Sequence, residues 1–136
     1  MHWVCQAASV AGSAHESRGT ASNDAFSTAV VGGTAIIAVA DGAGSAIQAT
    51  VGATLAVQTA ISHLTAALGD AGRLGATEVN SAVELARTSV IKYAEEFELA
   101  SADLACTLLL CVANEHEVIA AQIGDGAIVA LRVNVQ

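Results

Sequence analysis

The chain has 136 residues, of which 54% are hydrophobic, so it can bury one core; this excludes an intrinsically disordered chain and predicts a single domain over residues 1–136. Its formal charge of −8 gives no cationic surface for a polyphosphate, so we expect no direct binding to nucleic acid.

The first third of the chain predicts three short strands. Residues 3–9 and 26–31 favour β-structure, with a polar loop between them, and residues 34–40 are apolar throughout, as strands buried on both faces are. Gly32 and Gly33 separate the second strand from the third. Because two-residue turns need positive φ angles, which glycine adopts cheaply, this pair predicts a tight β-hairpin.

The start of the chain also bears on location. Met1 is followed by His2 and Trp3, with no basic segment ahead of a continuous apolar run, so we expect no signal peptide. The sequence therefore predicts a cytoplasmic protein.

Two helices follow in the predicted order. Apolar residues recur every three or four positions from Ser45, a candidate N-cap, to Gly69, a candidate stop, and again over residues 77–99. The short glycine-containing link over residues 70–75 predicts antiparallel neighbours. Polar residues interrupt the apolar stretch 44–68 before 18 uninterrupted positions, so no membrane span is expected.

The last third returns to β-structure, with apolar segments at residues 104–113, 117–123 and 127–133. The whole order predicts an α+β domain in which helices are layered on a largely antiparallel sheet. Since the last strand has no covering helix, we expect a continuation of the chain or a complementing chain to cover it. Cys106 and Cys111 lie in these apolar strands without an adjacent base, so neither is assigned as a nucleophile.

The predicted hairpin has a consequence for two acidic residues. A turn centred on Gly32 and Gly33 places Asp24 opposite Asp41, and two like charges facing each other destabilise a strand pair. A shared proton, the guanidinium of Arg18 or a metal ion would compensate them, and carboxylates beside a backbone carbonyl suit Mg²⁺ or Mn²⁺. We favour the metal; the alternative is that one aspartate caps a turn and the other caps a helix.

Four segments carry a family resemblance. Residues 39–46 contain Asp-Gly-Ala-Gly, residues 12–25 contain a Gly, His and Gly ahead of Ser-Asn-Asp-Ala, residues 105–109 read Ala-Cys-Thr-Leu-Leu, and residues 122–126 read Gln-Ile-Gly-Asp-Gly. In this order they resemble landmarks of the protein phosphatase 2C family, the metal-dependent protein serine/threonine phosphatases, in its compact bacterial type.

The resemblance implies the N-terminal half of a helix/sheet/sheet/helix sandwich, truncated at the C-terminus. It implies hydrolysis of phosphoserine and phosphothreonine on proteins by metal-activated water, with two Mg²⁺ or Mn²⁺ ions and a weaker third. Asp41 would bridge two ions, the Gly42 carbonyl and Asp24 would add ligands, and Asp125 would match the third site. The implied phosphate-binding residues are Arg18 and His15.

Departures from the family pattern leave alternatives open. Asn23 stands where a carboxylate or glutamine is common, Ala43 replaces a histidine of many members, and the family's other metal ligands come from a C-terminal half. We therefore expect this chain to be inactive alone, and a catalytically inactive phosphatase-like binding domain is the first alternative. A nucleotide-binding module is the second, although its G-x-G-x-x-G pattern fails at Ile47.

Overall fold

The computed structural model describes residues 2–13 and 22–133. These residues form four strands, two long helices and one short 3₁₀ helix. The strands are β1 (Ala25–Val31), β2 (Thr34–Ala40), β3 (Leu108–Ala113) and β4 (Val118–Ile123), and the helices are α1 (Ala49–Ala71), α2 (Ala76–Glu96) and the 3₁₀ helix Ser101–Leu104. The strands form one sheet in the order β1-β2-β3-β4, and each neighbouring pair is antiparallel. The predicted α+β class is confirmed.

The hairpin of β1 and β2 has the predicted turn. Gly32 and Gly33 have φ angles of 55° and 78°, in the left-handed region that glycine tolerates. From this turn the ladder runs from Val31 opposite Thr34 to Ala25 opposite Ala40. The register is therefore the one that a two-glycine loop dictates.

Helix α1 begins and ends later than its sequence indicates. It starts at Ala49 rather than Ser45, because the preceding turn is held from outside: the Gln48 N–H donates to the Asp103 carbonyl oxygen at 2.8 Å. The helix ends with Gly72 at a φ of 71°, whose N–H donates to the Leu68 carbonyl at 2.8 Å. Gly69 is an interior residue, so its assignment as the stop was wrong.

By length and apolar composition alone, α1 would also qualify as a membrane-crossing helix, a test that core helices of soluble proteins pass as well. Eight of its residues are buried in the structure. They include Ala53, Val57 and Leu64 of the core cluster, which contains buried residues of α2 and of the sheet as well. These eight residues of α1 thus pack inside the protein.

Helix α2 is capped by the side chain of its own residue Glu78. The Gly75 N–H donates to the Glu78 carboxylate at 2.7 Å, which satisfies one of the donors left open at a helix N-terminus. This bond, with a second to the Glu78 backbone, favours the charged carboxylate and lowers the pKa of Glu78. The link to α1 is short, and the two helices pack side by side on the sheet as predicted.

The core lies between the helices and one face of the sheet. Ile36, Leu110 and Val112 of the sheet meet Leu64 of α1 and Val79 of α2, and all five side chains are buried. Burying a large aliphatic side chain stabilises a fold by about 1.5–3 kcal/mol relative to leaving it exposed. These residues therefore fix the helices onto the sheet.

The opposite side of the sheet, the helix-free face, exposes Phe26, Val30, Val39 and Val118 by 36–48%. The exposure of Val39 shows that β2 is not buried on both faces, which corrects the expectation from its apolar sequence. Burial alternates only over residues 36–40, where Ile36, Ala38 and Ala40 are inside, as in a sheet covered on one face, whereas Ala35 near the hairpin turn is buried as well.

Two predicted strands are absent from the described residues. Residues 2–12 contain no strand, although the Trp3 indole N–H donates to the Gly33 carbonyl at 2.8 Å and anchors this segment beside the hairpin turn. Residues 126–133 are likewise irregular, with Val129, Leu131 and Val133 about 80% exposed. Strand propensity reflects how well a side chain packs on a sheet, so an apolar segment without a partner strand does not realise it.

Candidate metal site

One end of the sheet gathers the predicted acidic residues. There β1 begins, β2 ends, β3 begins and β4 ends, and the last pairs are Ala25 with Ala40 and Leu108 with Ile123. The next residues outward along the four strands are Asp24, Asp41, Thr107 and Gly124. We call these four residues the site end of the sheet. Side chains of successive residues along a strand point to opposite faces, and the preceding residues Ala25, Ala40 and Leu108 face the core, so the site end belongs to the helix-free face.

Asp41 is fixed by its backbone. Its N–H donates to the Thr107 hydroxyl oxygen at 2.9 Å, and the Thr107 N–H donates back to the Asp41 carbonyl at 2.8 Å. Beyond it, Gly42 forms an isolated bridge with Cys106. These bonds extend the pairing of β2 and β3 past the end of both strands, so Asp41 sits on ordered backbone.

Gly42 occupies a position that admits no side chain. A Cβ atom there would lie 2.8 Å from the Ala49 Cβ and 2.8 Å from the Asn23 carbonyl oxygen. The same contact shows that Asn23 lies beside Gly42, which continues the hairpin register one step beyond Asp24 and Asp41. Asp24 and Asp41 therefore lie between two sets of neighbours across the hairpin: the pair Ala25 and Ala40 before them and the contact of Asn23 with Gly42 after them.

Asp24 is held by hydroxyl groups. The Ser22 hydroxyl donates to the Asp24 Oδ2 atom at 2.7 Å and accepts the Asp24 N–H at 3.2 Å, while the Ser9 hydroxyl lies 3.4 Å from the same Oδ2. The neighbouring Asn23 turns away, since its Oδ1 atom accepts a hydrogen bond from Thr50 on α1 at 3.1 Å. Asn23 therefore ties the start of β1 to a helix.

Asp125 lies in the loop after β4, at the same end of the sheet. Gly124 and Gly126 flank it with φ angles of 84° and 119°, and the Gln122 side-chain amide donates to both of their carbonyls at 3.0 and 3.2 Å. Gly124 packs against Thr107, since a Cβ on it would lie 2.7 Å from the Thr107 methyl carbon. The exposed Asp125 thus lies in a loop whose first residue, Gly124, contacts Thr107, the residue bonded to Asp41.

The other two predicted site residues, His15 and Arg18, lie outside the described residues. Their assignment to phosphate binding stays a prediction.

A sequence model described as Protein phosphatase 2C matches residues 11–136. The chain belongs to the protein phosphatase 2C family. A curated relative, Serine/threonine-protein phosphatase 3 of Escherichia coli (strain K12), is 39% identical over 93 residues, which make up 67% of this chain and 36% of the relative. The chain thus spans about a third of the length of the relative that it matches. No solved structure matches the chain significantly.

The protein phosphatase 2C family implies divalent metal ions, and the oxygen atoms at the site end fit them chemically. Carboxylates and backbone carbonyls are the ligands that Mg²⁺ and Mn²⁺ favour, whereas zinc and copper prefer nitrogen and sulfur donors. Within residues 2–13 and 22–133, however, no three His, Cys, Asp or Glu side chains are close enough to share an ion. Since Mg²⁺ takes about six ligands, the described oxygen atoms at the site end would supply at most part of a coordination shell.

The cysteines of this phosphatase 2C member are poorly suited to nucleophilic chemistry. Burial raises the pKa of the Cys106 thiol, and burial together with the nearby Cys5 thiol raises that of Cys111. A thiol with a raised pKa carries less thiolate at neutral pH. These shifts support the sequence-based decision to assign no cysteine nucleophile.

Sequence reasoning missed the side chains that hold the aspartates. Ser22 gave a local signal, since a serine two residues before an aspartate favours a turn closed by its hydroxyl. Thr107 could have been found only by extending the pairing of β2 with β3, because Asp41 and Thr107 are far apart in sequence. Ser9 gave no signal, as residues 2–12 form no regular element.

Proposed function

We propose that this chain forms part of the catalytic centre of a metal-dependent protein serine/threonine phosphatase, which hydrolyses phosphoserine and phosphothreonine on protein substrates. The observation that carries the proposal is the hairpin register, which ends at Ala25 opposite Ala40, with Asp24 and Asp41 as the next residues on its two strands. Membership of the protein phosphatase 2C family supports the reaction class.

In this proposal Asp24, Asp41 and the Gly42 carbonyl would hold two Mg²⁺ or Mn²⁺ ions, and Asp125 would contribute to a third. When bound, such ions lower the pKa of water and neutralise phosphate oxygens. The residues of this chain hold the ligands in place: Thr107 fixes the Asp41 backbone, and the close packing around Gly42 fixes the carbonyl. The formal charge of −8 attracts divalent cations to the protein.

We further propose that the chain acts together with a continuation or a complementing chain that supplies the remaining ligands, in the cytoplasm. A catalytically inactive phosphatase-like binding domain is the second candidate, favoured by the absence of three close metal-ligating side chains in the described part of the chain. The nucleotide-binding alternative loses support, since every strand pair described is antiparallel and a dinucleotide fingerprint needs a parallel βαβ unit.

The test is Mn²⁺ binding to this chain by titration calorimetry, comparing Asp41→Asn with Asp70→Asn. Asp70 is an exposed carboxylate near the C-terminal end of α1, so both variants remove one negative charge. We expect Asp41→Asn to weaken binding more than about 100-fold, because removing even an outer partner of a ligand costs 10–100-fold. Asp70→Asn should leave binding unchanged.

The same pair is then compared for Mn²⁺-dependent hydrolysis of a phosphothreonine peptide in a longer polypeptide that contains this chain. Loss of hydrolysis in Asp41→Asn alone is the expected result. Hydrolysis that survives Asp41→Asn would refute the assigned role, and Mn²⁺ binding without any hydrolysis would favour the binding-domain candidate.

A further inference from the structure

Two serine hydroxyl groups lie beside the carboxylate of Asp24. Ser22 Oγ lies 2.7 Å from Asp24 Oδ2, Ser9 Oγ lies 3.4 Å from the same atom, and the two hydroxyl oxygens are 3.1 Å apart. The Asp24 N–H points back at Ser22 Oγ from 3.2 Å. Two segments of the chain, one with Ser9 and one with Ser22 and Asp24, therefore meet at one carboxylate oxygen.

The number of hydroxyl hydrogen atoms in this cluster determines the direction of each hydrogen bond. A serine hydroxyl has one hydrogen and two lone pairs. Ser22 therefore gives its hydrogen to Asp24 Oδ2 and accepts from the Asp24 N–H and from Ser9. The single Ser9 hydrogen divides between Ser22 and Asp24. Every donor in the cluster is used, and the carboxylate is the final acceptor.

The arrangement constrains Asp24 at both ends of its side chain. Its backbone N–H and its Oδ2 atom bond to the same Ser22 oxygen, which closes a small ring and selects one side-chain rotamer. Oδ1 accepts no hydrogen bond from any residue within 2–13 and 22–133. The Oδ2 atom is thus anchored by Ser22 and by Ser9.

Ser9 connects this cluster to the far end of the sheet. Its segment is anchored beside the hairpin turn by the Trp3 bond to the Gly33 carbonyl at 2.8 Å. Residues 3–9 therefore run along the length of the sheet and deliver Ser9 to Asp24.

We propose that Ser22, assisted by Ser9, is a positioning residue that orients the Asp24 carboxylate for a divalent cation. This inference rests on the proposed metal site. Outer groups that hydrogen-bond a metal ligand typically set affinity by 10–100-fold because they hold it in its binding orientation. Neither serine touches the ion or the substrate in this assignment.

The experiment compares Ser22→Ala with Ser22→Thr, which keeps the hydroxyl, and with Ser101→Ala, an exposed serine of the 3₁₀ helix. Mn²⁺ affinity is measured by calorimetry on this chain. We expect Ser22→Ala to weaken binding about 10-fold. Ser22→Thr and Ser101→Ala should stay within about twofold of the wild type, and Ser9→Ala should fall between the two groups.

A second readout needs no metal. Three-bond NMR couplings report the χ1 rotamer of Asp24, which should be single in the wild type and in Ser22→Thr, and averaged in Ser22→Ala. An averaged rotamer in the wild type would overturn the inference whatever the metal does.

The two proposals fail in different ways. If wild-type protein and Asp24→Asn bind Mn²⁺ equally or not at all, the proposed metal site fails and the positioning role falls with it. If Asp24→Asn weakens binding while Ser22→Ala leaves both the affinity and the rotamer unchanged, only the positioning role is overturned.

Discussion

Thr107 is the residue through which the acidic segments of the site end meet. Its hydroxyl oxygen accepts the Asp41 N–H at 2.9 Å, and its methyl group packs under Gly124, next to Asp125. One side chain thus contributes a polar contact to β2 and an apolar contact to the loop after β4. Conservative substitutions can separate the two contributions.

Thr107→Val keeps the shape and removes the acceptor, so it should lower the free energy of unfolding by about 1 kcal/mol, the net value of a typical hydrogen bond. Thr107→Ser keeps the hydroxyl and loses a half-buried methyl, which should cost about 0.4 kcal/mol, half the value of a fully buried one. Urea denaturation monitored by circular dichroism measures both. A larger loss for Thr107→Ser than for Thr107→Val would contradict the hydrogen bond.

At this scale the sequence predicted some of the site and missed the rest. The two-glycine turn predicted that Asp24 lies opposite Asp41, because a loop of two residues allows only one pairing register. The partners Ser9, Ser22 and Thr107 were missed because they depend on where separate segments meet. Pairings of that kind are set by packing of the whole sheet and leave no local pattern.

Among the elements, α1 shows how a close contact overrides helix propensity. Gly52 lies inside the helix, where glycine is about 1 kcal/mol less favourable than alanine. It is retained at a close approach: a Cβ there would overlap the Leu104 carbonyl of the 3₁₀ helix. The contact holds α1 against the segment that leads into β3 and Thr107.

Gly52→Ala should therefore destabilise the protein by about 1–3 kcal/mol, the usual cost of overpacking, although propensity alone predicts a gain. Gly69→Ala is the matched control in the same helix, since nothing lies within 4 Å of a Cβ at that position. It should stabilise the protein by about 0.5–1 kcal/mol. Thermal denaturation compares the two, and a gain in both would refute the contact.

Element boundaries were predictable where one local rule governs them. Strand β2 was predicted as residues 34–40 and observed as Thr34–Ala40, because the turn before it and Asp41 after it delimit it. The N-cap of α1 was wrong by three residues, Ser45 instead of Gln48, since Ser45 matched a capping preference while the Gln48 N–H bonds to the Asp103 carbonyl. The hydrogen bond from Gln48 to Asp103, which joins distant parts of the chain, sets where α1 begins, and a local capping preference does not reveal it.

The molecule as a whole is asymmetric about its sheet. Helices cover one face, while Phe26, Val30, Val39 and Val118 leave apolar side chains exposed on the helix-free face. Soluble monomers rarely expose large contiguous apolar patches. We therefore expect this chain alone to self-associate and to bind an apolar dye.

Val30→Lys should reduce both effects, because a charge at this position opposes burial of the face. Leu85→Lys is the control, since Leu85 is similarly exposed, at 42% against 48%, but lies on α2. Sedimentation velocity over a range of concentrations and the fluorescence of an anilinonaphthalene dye are the measurements. Equal effects of the two variants would show that self-association does not depend on the helix-free face.

The hairpin register also determines where this protein tolerates changes of length. Side chains alternate between faces along a strand, so deleting one residue within β1 would turn Asp24 toward the helices and away from Asp41. Residues added at the exposed tip, between Gly32 and Gly33, would leave both strands in step. The tip is therefore a suitable place to graft a reporter peptide, whereas insertion or deletion of one residue within either strand would reverse the faces of the side chains beyond it.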